Sequence, residues 1–163
     1  MDELILNTLA NVLNLNPHEV VDARLEIAEK SLKEAKEYLN KKDVVQASEK
    51  LYKAVEECIK ALAETFNAPQ LEEVKRRGRW TAWLLGMAST DLSKALKEER
   101  VRQAWAMAYD IHVWGFHEAK YRVEDIEAVL PLAIWLLNFT KQTIEKCQNS
   151  RSRAPPDTNS RGK

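Results

Sequence analysis

Three histidines occur in 163 residues, and two of them, His112 and His117, stand five apart in the segment IHVWGFHE. An imidazole oriented by a carboxylate is a ready general acid or base near neutral pH. Asp110 is the acid on the same polar side as His117. A seven-residue helical step is about 10.5 Å of axial rise, so direct contact between the two is not expected. His112 falls beside Ala108 and Gly115 on a small-residue face, where a histidine hydrogen-bonded to a neighbouring helix is the plain reading. Neither H-x-x-x-H nor a His/Cys cluster is present, so no metal site and no cofactor is expected. The catalytic candidates are therefore His117 and His112, with Asp110 and with Arg102, the nearest preceding arginine, brought in from another turn or subunit.

A second chemistry is suggested by Lys75, Arg76, Arg77 and Arg79, four cations within five positions, followed by Trp80 and Trp83. Cations beside aromatic rings suit phosphates and stacked bases, so this run is the candidate site for RNA or a nucleotide. The competing reading is a solvated loop with both tryptophans anchoring the next helix. The formal net charge is zero, from 25 basic and 25 acidic residues. Any nucleic-acid contact must therefore be local rather than a property of the whole surface.

These residues need helices to hold them. The chain is 45% hydrophobic and 31% charged, with only four Gly and five Pro, a profile that predicts a single all-α bundle. Asn16, Pro17 and Glu19 form a helix start signal. Val21, Leu25, Ala28, Leu32, Ala35 and Leu39 follow at steps of four and three, one apolar stripe. Asp43 restarts the chain with Gln46 at the capping-box position. Val44, Ala47, Leu51, Ala54, Cys58, Leu62 and Phe66 form a second stripe, which predicts an antiparallel hairpin over residues 17 to 66. Glu49, Lys53 and Glu57, and likewise Glu56, Lys60 and Glu64, are expected on exposed faces of its second helix.

The remainder reads as a short helix near 71 to 76, a second helical stretch near 80 to 87, and another short helix capped by Ser89 or Thr90. A long helix over 98 to 121 follows, and then a last helix, kinked or restarted by Pro131, that ends near 147. On the long helix, Val101, Ala104, Trp105, Ala108, His112, Gly115 and Ala119 share one face. Met107, Trp114 and Tyr121 point away from it, and a second apolar side of that kind marks a dimer interface. Residues 1–15 read as an accessory N-terminal helix, 16–147 as the bundle, and 148–163 as a disordered, mildly basic tail. With no apolar run long enough for a membrane span, no basic leader, and Cys58 and Cys147 both on helical patterns, the expected setting is the cytoplasm.

The stretches ASEKLYKAVEECIKALAE (47 to 64), KRRGRW (75 to 80), IHVWGFHE (111 to 118) and VEDIEAVLP (123 to 131) together resemble the archaeal PaREP family, a branch of the HEPN superfamily, over roughly residues 20 to 145. The resemblance implies an up-and-down bundle of about five main helices around the hairpin, commonly dimeric. RNases elsewhere in that superfamily carry an Arg followed after four to six residues by a His. This chain departs from the pattern, since nine residues separate Arg102 from His112. The expected function is a non-catalytic, dimeric interaction module with a basic loop for RNA or a nucleotide. The alternative is a metal-independent RNase or a toxin–antitoxin component acting with a protein partner.

Overall fold

The computed structural model describes residues 16–154, and among these every regular element is helical. Five helices of twelve or more residues and two short ones follow in the order α1 (Pro17–Asn40), α2 (Val44–Thr65), α3 (Gln70–Arg77), α4 (Ala82–Leu96), α5 (Arg100–Ile111), α6 (Val123–Glu127) and α7 (Leu130–Ser152). Helix α5 runs directly into a wide π-helical turn, His112–His117. No helix among the described residues is long and apolar enough to cross a membrane. The expected N-terminal helix at 1–15 and the tail beyond 154 lie outside the described residues.

The hairpin forms as the caps and stripes require. The Asn16 side chain accepts from the Glu19 amide while Glu19 accepts from the Asn16 amide, closing a capping box with Pro17 in the first turn. Asp43 accepts from the Gln46 amide at 3.1 Å and starts α2. Most of both stripes is buried, with Ala28, Ala35, Ala47, Leu51 and Leu62 fully so, but Leu25 and Val44 are only partly buried and Phe66, at the end of the second stripe, is exposed. Alanines at these crossings let the backbones approach, and leucines fill the gaps between them.

Helix α2 is the centre of the molecule: α1, α4, α5, the π turn and α7 all pack on it. That corrects the expectation that its Glu and Lys rows face solvent. Glu57 and Lys60 are buried in an ion-pair network with Arg24 of α1, itself 1% exposed. Arg24 reaches Glu57 at 3.1 Å and Glu64 at 2.7 Å, Lys60 reaches Glu56 at 2.8 Å, and Lys53 reaches Glu57 at 2.9 Å. Burial alone would raise the Glu57 pKa, but Lys60, Lys53 and Arg24 together hold it below the ordinary value.

Three further boundaries differ from expectation. Thr81 caps a single helix α4, with its side chain accepting from the Leu84 amide. Ser89 and Thr90 cap nothing, because both hydroxyls donate back to the Gly86 carbonyl within that helix. The long helix stops at His117 rather than at 121, and Ala119 turns the chain with φ +50°. Pro131 does restart the last helix, within its first turn, and α7 continues to Ser152, past the expected end.

Candidate functional site

The strongest concentration of chemistry lies where the end of α5 crosses α2. Val101, Ala104, Trp105, Ala108 and Ile111 bury one side of α5 and fix its axis. The turn that follows is wound wider than an α-helix, and the Glu118 amide donates to the Val113 carbonyl at 2.8 Å, a five-residue step. Wide turns of this kind are rare and recur at functional sites. Gly115 permits this one. A Cβ there would stand 2.2 Å from Ser48 Oγ and 2.9 Å from Ser48 Cβ on α2, so only glycine lets the turn lie flat on the central helix.

In the α-helix first expected, His112 and His117 would point about 140° apart. The wide turn brings them together, with Nε2 of one 3.0 Å from Nε2 of the other and the rings edge to face. Tyr52 of α2 lies under the His112 ring, stacked at 3.9 Å. Glu49, one turn earlier on α2, places Oε2 3.9 Å from His112 Nδ1. Both atoms are shut off from solvent and neither has a hydrogen-bond partner among the described residues. Burial lowers the His112 pKa, and the neighbouring His117 lowers it further, which favours the neutral ring. Burial and the nearby Glu56 raise the Glu49 carboxyl, against Lys53, Lys50 and His117.

An aromatic row continues from the pair. Phe116 stacks beside His112, and Tyr109 and Trp105 extend the row up α5. Trp83, which is 50% exposed, faces Trp105 and Tyr109 from α4 across a shallow cavity of about 240 Å³ over Gly86.

The other expected partners of the histidines are elsewhere. Asp110 accepts a 2.6 Å hydrogen bond from the Tyr121 hydroxyl. Arg102 lies ten residues before His112, about 15 Å up the axis, where its amide donates to Ser93 Oγ. Neither joins the pair.

The basic run is largely spent on its own helix. Arg76 and Arg77 both pair with Glu73, and Lys75 lies 3.9 Å from Glu72. The Arg76 and Arg77 hydrogen bonds draw the partly exposed Glu73 carboxyl down to about 2. Arg79 makes no ion pair among the described residues. Trp80 is only 8% exposed, so its ring is a core anchor rather than a platform for a base. Trp83 is the accessible ring, with the Arg77 guanidinium 5.0 Å over it.

Of the expected interface residues, Tyr121 is partly buried against the core, and the other two are exposed. Met107 and Trp114 are 38% and 44% exposed. Met107 shares a groove of about 390 Å³ with Tyr121, Asp110, Asp125 and Val129.

The pattern of the archaeal PaREP1/PaREP8 family matches residues 23–137, from the first turns of α1 into α7. The chain belongs to that family. A crystal structure of a protein from Sulfolobus solfataricus is 35% identical, with a TM-score of 0.66, and the match covers 72% of this chain and 96% of that one. A solution structure of the same structural-genomics target gives 35% identity and a TM-score of 0.65, covering 73% and 92%. No curated protein matches the chain.

The segment shared with the PaREP1/PaREP8 family contains each candidate residue named above. It also contains three site residues that sequence reasoning passed over, namely Glu49, Tyr52 and Phe116. Helical periodicity alone puts Glu49 in a solvated Glu/Lys row and gives Tyr52 no role. The signal that points to them is indirect. Two histidines five apart around a glycine fit no α-helical face, and that misfit indicates a wider turn.

Proposed function

We propose that this PaREP1/PaREP8 chain is a non-catalytic, HEPN-like helical interaction module that pairs with a second copy of itself along α5. The supporting observation is that Met107 of α5 and Trp114 of the π turn are both exposed, with Met107 lining the groove of Tyr121. Large apolar side chains in that position resemble the core of a protein interface rather than an ordinary solvated face. Free Cys58 and Cys147 suit a reducing, cytoplasmic setting.

The geometry disfavours the RNase alternative. In-line phosphoryl transfer places the attacking and leaving oxygens on opposite sides of phosphorus. A general acid and a general base must then stand apart by the width of a phosphoryl group. Two Nε2 atoms in contact at 3.0 Å leave no room for one, and neither Arg102 nor Asp110 adjoins them.

Size-exclusion chromatography with light scattering tests the proposal. The wild-type chain should run as a dimer, and Met107→Glu with Trp114→Glu should run as a folded monomer. A wild-type monomer at every concentration tried would overturn it. A second reading rests on Arg79 and on the Arg77–Trp83 stack, which offer a cation and an open ring to single-stranded RNA. Filter binding should then weaken with salt and be lost in Arg79→Ala with Trp83→Ala. Salt-insensitive or absent binding rejects that reading.

A further inference from the structure

We infer that the His112–His117 pair is a chelating site for a divalent transition-metal ion of the copper or nickel type, bound through the two Nε2 atoms. On an α-helix, chelating histidines stand four apart, because that spacing stacks them on one face. On a turn bonded across five residues, a spacing of five does the same. H-x-x-x-x-H on the π turn is thus the geometric equivalent of H-x-x-x-H on an α-helix.

The separation fits such an ion. Two imidazole nitrogens each about 2.05 Å from a metal are about 2.9 Å apart at a right angle and about 3.3 Å apart at a tetrahedral angle. The observed 3.0 Å lies near the right-angle value, the arrangement copper(II) and nickel(II) prefer with nitrogen and oxygen donors. His117 is exposed and His112 half-buried, so the pair opens to solvent and water completes the coordination.

A second observation points the same way. Chelation through Nε2 requires His112 to carry its proton on Nδ1, with an acceptor beyond. Glu49 Oε2 stands 3.9 Å from that nitrogen, and both atoms are buried and lack hydrogen-bond partners. A small closing movement gives the carboxylate–histidine–metal relay that orients metal-bound imidazoles. Tyr52, stacked on the His112 ring, holds its plane, and Gly115 against Ser48 holds the turn.

Titration of the untagged, chelator-treated full chain with copper(II) against a competing dye, followed by electron paramagnetic resonance, tests the assignment. One ion per chain with two equatorial nitrogen donors is expected. His117→Gln, at an exposed position that leaves the fold intact by circular dichroism, should weaken binding by at least about tenfold, and Glu49→Gln by about ten- to a hundredfold. His18→Gln, on the exposed first turn of α1, should bind as wild type. No stoichiometric binding, or equal binding by His117→Gln, would overturn the assignment and leave the pair as an ordinary imidazole–imidazole hydrogen bond.

Discussion

Replacing Gly115 with alanine puts the positioning of the histidines to a direct test. The added methyl would stand 2.2 Å from Ser48 Oγ, 2.9 Å from Ser48 Cβ and 3.1 Å from Ile126 Cδ1. Rotating the Ser48 hydroxyl relieves only the first contact, and it breaks the 2.7 Å bond that hydroxyl donates to the Val44 carbonyl. The second contact is to a Cβ fixed to the backbone of the central helix, so the π turn itself must lift. Overpacking of this kind costs about 1–3 kcal/mol. From the middle of that range, about 2 kcal/mol, alanine recovers up to about 1 kcal/mol through helix propensity, leaving a net loss of about 1–2 kcal/mol. For a chain of this size that is a fall in Tm of about 2–8 °C. Urea unfolding followed by circular dichroism gives the difference. Ser48→Gly in the Gly115→Ala background removes both close atoms and should recover most of the loss, although either change alone destabilises. A Gly115→Ala variant as stable as wild type, or a double variant showing simple additivity, would refute the claim that this contact seats the turn.

Arg24→Met leaves Glu57 buried without its α1 partner and should cost about 3–5 kcal/mol, readable as a drop in the urea midpoint. Because Glu57 is held below its ordinary value of 4.5, its contribution to stability is present above that pH and lost as pH falls through the lower folded value. The urea midpoint should therefore decline on acidification below 4.5, and less steeply in Glu57→Gln. Trp80→Ala should cost about 3–5 kcal/mol as a core truncation, whereas the half-exposed Trp83→Ala should cost no more than about 1 kcal/mol. Equal losses from the two would contradict their assigned roles.

The elements legible in the sequence are those whose causes are local. Asn16, Pro17, Glu19 and Asp43 act on amides within three residues, and the stripes of α1 and α2 are properties of each helix alone. The break at Pro131 is local as well, following from a ring that removes its own N–H. What periodicity does not carry is how many neighbours a helix has. Rows of Glu and Lys four apart read identically whether they meet water or another helix. Only the arrival of Arg24 from α1 turns Glu57 from a solvated charge into a buried one.

The histidine pair shows the same limit more sharply, because its cause lies in two helices at once. A wheel drawn at 100° per residue puts His117 on the side of Asp110 and away from His112. One additional residue per turn reverses this. His117 swings onto His112, and Asp110 is left to the Tyr121 hydroxyl. The widening is seated by the packing of Gly115 on Ser48, more than sixty positions earlier in the chain. No reading of IHVWGFHE by itself contains that contact, although a glycine between histidines that share no α-helical face is its trace. The residues that complete the site, Glu49 and Tyr52, follow Ser48 within one turn of α2. The contact that widens the turn therefore also delivers the carboxylate and the ring to His112. Seating the turn and furnishing the site are a single packing event, and loss of the Gly115 contact should disturb both together.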